Sequence, residues 1–189
     1  MSVSRAVTVV AGVAIPSTSP WFLGGVAIHV IAALICVVAG LLAMFSPKGL
    51  GPHRKWGVTY YRALLVVFVT AAALSAARWA EDFPLFILAT GSFAAANLGR
   101  AAQRWRRPGG VPVHIAAMGM SYVVLLTTFY VDNGKSLPVW RYLPQIAFWL
   151  LPGAIGAPII AWAVLRHPLS RASRFTPPRA PRRSGGRGR

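Results

Sequence analysis

Apolar and polar positions in this chain are segregated into blocks rather than mixed. Five apolar runs stand out, at residues 21–45, 56–79, 84–99, 111–131 and 144–165. A bilayer core of about 30 Å takes roughly 20 helical residues at 1.5 Å each, so runs of this kind read as membrane-crossing helices. The expectation is an all-α fold: a polytopic membrane helical bundle of about five transmembrane helices. Residues 1–20 hold a ten-residue apolar stretch, Ala6 to Ile15, closed by Pro16 and Pro20. Ten residues do not span, and the segment reads as an external or interfacial arm. A cleaved signal peptide is the alternative, although no clear small-x-small site follows.

Polar residues inside the runs carry the next layer of information. On the fourth run His114, Met118, Ser121, Leu125, Thr128 and Asp132 fall on one line at 100° per residue. Lipid offers no hydrogen-bond partner, so this row should face other helices or a wet cavity. The plainer alternative is a packing seam in which Ser and Thr bond their own backbone. In the first run Gly25, His29, Ala32, Ala33, Cys36, Gly40 and Ala43 make a face of small residues, the kind that lets helix backbones approach in lipid. His29 therefore points at protein, either bonded to a neighbouring helix or handling a proton or ligand. Thr59, Ala63, Val66, Thr70, Ala73 and Ala77 make a second small face, while Arg62 either snorkels to the interface marked by Trp56, Tyr60 and Tyr61, the favoured reading, or pairs within the bundle. Thr90 and Asn97 share a side of the third run. Residues 78–82 read as a short loop, and Asp132-Asn133-Gly134 as a tight turn with positive φ. Pro152 and Pro158 predict a kink in the fifth run.

Charge sets the orientation. The chain has 189 residues, 56% hydrophobic, with 20 Lys and Arg against 3 Asp and Glu. Sixteen of those cations belong to one side, namely the 46–55 loop, the 100–107 loop, Arg62 and the segment from Arg166 on; four belong to the other. The positive-inside rule then places the N-terminus outside and the C-terminus in the cytoplasm of a bacterial plasma membrane. Residues 166–189, rich in Arg, Pro, Ser and Gly, read as a disordered cytoplasmic tail that solvates itself or draws on anionic lipids. Aromatic residues suited to base stacking are missing there apart from Phe175, so nucleic acid is not expected as a partner. The lipid bilayer is the expected partner, and protein partners are not specified by the sequence.

Chemistry is sparse. No nucleophile constellation, phosphate loop or zinc spacing occurs, so no catalytic residue is assigned. Cys36 is the only cysteine. Haem is the one cofactor that the histidines leave open, since facing histidines hold iron in membrane cytochromes. Depth opposes pairing His29 with His114: one lies about 12 Å below the outer boundary and the other about 5 Å above the inner one. His53, His114 and His167 do share one end, which keeps a metal or haem site open there.

Three motifs go together: His53-Arg54-x-x-Gly57-x-x-Tyr60, His114-x-x-x-Met118-x-x-Ser121-Tyr122, and Tyr130-Val-Asp-Asn-Gly134. In these the chain resembles a bacterial family of predicted membrane proteins carrying a domain of unknown function. The likeness covers roughly residues 25–165. Lys55-Trp56 departs from the family's variable pair, and the arginine tail is an addition. The resemblance implies a small helical bundle and brings no activity with it. Two functions follow as expectations: a small transporter, channel or membrane-complex subunit, or else a redox protein binding haem or quinone through its histidines.

Overall fold

A computed structural model of the chain describes residues 19–48, 51–105 and 109–167, together with the backbone of 8–10 and 13–15. Five long helices follow one another: α1 Pro20–Phe45, α2 Pro52–Ala77, α3 Trp79–Ala102, α4 Gly110–Asn133 and α5 Gln145–Arg166. All five are long and apolar enough to cross a membrane, and the chain is a multi-pass, all-α membrane bundle. Ahead of it, β1 (Thr8–Val10) and β2 (Val13–Ile15) pair antiparallel with Thr8 opposite Ile15. The arginine tail beyond His167 lies outside the described residues.

Successive helices pack on one another, α1 on α2, α2 on α3, α3 on α4 and α4 on α5. The core sits where α1, α2 and α4 meet. It is built of Ala32, Cys36 and Ala39 from α1, Tyr60, Ala63, Leu64 and Val67 from α2, Ala96 from α3, and Tyr122 and Leu125 from α4. The small face expected on the first span is thus the α1 contact surface. Gly40 shows why small residues are needed, because a Cβ there would lie 2.5 Å from the Tyr122 ring. On the outside, Ile28, Ile31, Leu34, Ile35 and Val38 of α1 are all exposed. So continuous an apolar surface is at home in lipid rather than water.

Three local expectations give way. Residues 78–82 are not a loop: Arg78 alone turns the chain (φ −137°, ψ 44°) and α3 starts at Trp79. Glu81 and Asp82 therefore sit in the first helical turn, where the unsatisfied N–H groups favour carboxylates. Arg78 pairs with Glu81 and lies 3.9 Å from Asp82. The Asp132-Asn133-Gly134 turn is also replaced by helix. α4 runs to Asn133 and tightens into a 3₁₀ turn at Gly134–Ser136, with Gly134 at φ −54°. Glycine is required there by contact, since a Cβ would meet the Phe148 ring at 2.8 Å. Positive φ occurs instead at Gly109 (φ 109°), which turns the chain into α4. Finally, the third span is longer than the predicted 84–99, because Pro84 is carried inside α3 near its start.

Candidate functional site

The polar row of α4 is split between three environments. At mid-helix Ser121 is fully buried and Leu125 is buried beside it. Ser121 Oγ bonds the Tyr60 hydroxyl at 2.7 Å, and Ser92 Oγ donates to Ser121 O at 2.9 Å while lying 3.4 Å from Ser121 Oγ. The next residue, Tyr122, crosses to α1 and donates to Val37 O at 3.2 Å. Cys36 Sγ donates to Tyr60 O at 3.6 Å. Four helices are thereby tied together by the side chains of Cys36, Tyr60, Ser92, Ser121 and Tyr122, each of them paired. Thr128 bonds only Val124 O of its own helix, and Thr127, not Thr128, is the buried threonine. Asp132 is exposed and bonded to Asn133 Nδ2 at 3.0 Å.

The second gathering is at the end of the bundle that carries the basic loops. His53 stands in the first turn of α2 and His114 in the first turns of α4. Their ring centroids are 6.4 Å apart with planes at 87°. His53 Nδ1 lies 2.8 Å from Ala43 O, and His114 Nδ1 lies 2.8 Å from Gly99 O. Gln103 Nε2 approaches His114 Nε2 at 3.0 Å. Met118, one turn deeper than His114, packs on Gly99, where a Cβ would sit 2.8 Å from its sulfur. The helices thus come close enough for His114 to reach across to α3.

The other candidates lie apart from these two gatherings. His29 Nδ1 bonds Thr70 Oγ1 at 2.9 Å, tying α1 to α2. It joins no other histidine: among the described residues no three His, Cys, Asp or Glu side chains come together as a metal site. For the same reason His167 does not complete a triad with His53 and His114. Arg54 and Arg62 are exposed, whereas Tyr60, expected beside Trp56 and Tyr61 at the interface, is buried in the core by its contact with α1 and α4. Asn97 is exposed too; it accepts from Tyr61 at 2.8 Å, and Arg100 lies 3.9 Å over that tyrosine ring. A groove of about 850 Å³ between α1 and the α2–α3 turn is lined by Trp21, Phe22, Thr70, Leu74 and Arg78, none of them part of the expected site.

Sequence reasoning missed Ser92 and Gln103. Ser92 gives no signal of its own in the third run, and Gln103 lies just past that run, so only the close approach of α3 and α4 reveals them. No family model, curated protein or solved structure matches the chain.

Proposed function

We propose that this protein is a non-enzymatic subunit of a complex in the bacterial plasma membrane rather than a conduit in its own right. The observation that carries the reading is the closed knot of Tyr60, Ser121 and Ser92 at the middle of the bundle. A pathway for ions or polar substrates needs polar groups turned to a wet lumen, and here the most buried polar groups are spent on one another. α5 adds support. It packs chiefly on α4, burying only Phe148 and Pro152, and leaves Trp149, Leu150, Ile155, Ile159 and Trp162 outward. In this reading the N-terminus is outside and the basic end faces the cytoplasm, on the strength of the sixteen-to-four distribution of Lys and Arg. The arginine tail then meets anionic lipid, at about 1 kcal/mol per arginine near the surface. Membership of the bacterial family named above belongs to the same proposal and rests on its three motifs.

Photo-crosslinking in native membranes tests it. A photoreactive residue at Ile155 or Ile159 should give one discrete protein adduct, and the same residue at Phe148 should give none. Adducts with lipid alone, or substrate flux in vesicles holding only this protein, would overturn the reading.

A further inference from the structure

Where α2 and α3 meet at the basic end, one arginine is held in place without a counter-ion. Arg100, in the last turn of α3, lays its guanidinium over the Tyr61 ring of α2, with the guanidinium carbon 3.9 Å from the ring centroid. The ring itself is fixed. Its hydroxyl donates to Asn97 Oδ1 at 2.8 Å, Asn97 Nδ2 donates to Phe93 O at 2.8 Å, and the ring packs against Phe93 with centroids 5.8 Å apart. Phe93 is stacked in turn on Phe68 at 4.8 Å. Two other cations of this end lie over rings without such support: Lys55 leans on its chain neighbour Trp56, and Arg166 on Trp162 one turn back in α5. Arg100 is instead pinned across a helix seam by a ring that Asn97 and Phe93 position.

Stacking occupies the face of a guanidinium and leaves the N–H donors in its plane, the geometry that grips a phosphate by two oxygens at once. Among the described residues those donors make no hydrogen bond or ion pair, and Arg100 is half-buried. No acidic side chain is placed to serve them. Glu81, Asp82 and Asp132 are the three acids of the chain. The first two stand in the first turn of α3 and the third in the last turn of α4, at the opposite end of the bundle. Along α3 that is about 27 Å or more from Arg100 at 1.5 Å per residue. The charged residues nearer by in the chain are cations, with Arg54 and Arg62 exposed on α2 and Arg104 exposed just past α3. Gly57, one turn before Tyr61 on the same side of α2, has nothing within 4 Å of an added Cβ, so the space beside the ring is open. At the end of a membrane helix the anion available to such a group is a lipid phosphate. A zwitterionic headgroup would bring an ammonium with it, and no acidic side chain stands at this end to receive one.

We propose that Arg100, stacked on Tyr61, binds the phosphate of one anionic glycerophospholipid from the leaflet at the basic end of the bundle, in the open seam between α2 and α3. The site is separate from the arginine tail and does not depend on the subunit reading above. An arginine that merely snorkels to the interface is the alternative that the experiment separates.

The test uses the full chain in detergent, delipidated and titrated with phosphatidylglycerol or phosphatidylcholine, with bound lipid counted by native mass spectrometry. The wild type should retain one phosphatidylglycerol at least about tenfold more tightly than phosphatidylcholine, as bidentate, charge-assisted binding predicts. General attraction of one exposed cation to anionic lipid changes affinity about fivefold, and Arg166→Ala should stay within that. Arg100→Ala should lose more than about tenfold, because it removes grip as well as charge. Two variants that keep the net charge separate the two effects. Arg100→Lys removes the planar fork and Tyr61→Leu removes the ring, and each should weaken retention about fivefold. Arg100→Lys, a change at the end of α3, carries the test if Tyr61→Leu does not fold. Any one of four results overturns the site: phosphatidylcholine held as tightly as phosphatidylglycerol, Arg100→Ala no weaker than Arg166→Ala, a folded charge-keeping variant binding like wild type, or inorganic phosphate displacing the lipid, which would make the ligand a free anion.

Discussion

Gly40 is a residue at which one added carbon has no room. A methyl carbon there would lie 2.5 Å from the Tyr122 ring and 3.2 Å from the Tyr60 ring. Gly40→Ala should cost about 1–3 kcal/mol of bundle stability, as overpacking of a close contact does. Adding Tyr122→Ala should remove most of that penalty, and a double-mutant cycle on detergent melting temperatures measures the coupling; additive effects would refute the contact. Tyr60→Phe should be far milder, about 0.6 kcal/mol, because a hydrogen bond between membrane helices finds replacements in the unfolded state. Steric exclusion at Gly40 therefore weighs more in the packing of the bundle than the Tyr60–Ser121 hydrogen bond does.

Among the helices, the α4–α5 contact depends on two glycines. A Cβ on Gly119 would meet Ile160 at 2.6 Å, and one on Gly156 would run into Val123. Gly153, one turn before Gly156, has nothing within 4 Å. Gly156→Leu should loosen α5, seen as faster proteolysis of the 134–144 connection, whereas Gly153→Ala should be neutral or stabilise by about 0.5–1 kcal/mol. Equal damage from both would refute the packing. The elements themselves are legible in the sequence because lipid imposes run length and small-residue faces directly. Ser121 is legible as a buried position for the same reason. Its partners are not: whether Tyr60 and Ser92 reach it depends on helix rotation and stagger, which no single helix's periodicity contains. The α2–α3 connection escapes the sequence because its charge imitates a loop. Glu81 and Asp82 instead serve the start of α3, against Arg78.

At the scale of the whole molecule the orientation is the open physical claim. Reporter fusions after Gly49, Gly109 and Gly185 should read cytoplasmic, and one after Gly134 external, because the basic residues gather on the first three segments. A cytoplasmic signal at Gly134 would refute it. The histidine pair is half legible: the shared end of His53 and His114 follows from five alternating spans, but their 6.4 Å approach needs the tight α3–α4 contact at Gly99.

Cys36 brings these scales together. Its sulfur is fully buried between α1 and α2 and donates to Tyr60 O, and it is the only thiol in the chain. A maleimide cannot reach it unless those two helices part. The unmodified protein thus carries its own stopwatch: the rate at which the thiol is alkylated under native conditions counts the openings of the α1–α2 seam, and Gly40→Ala should make it run faster.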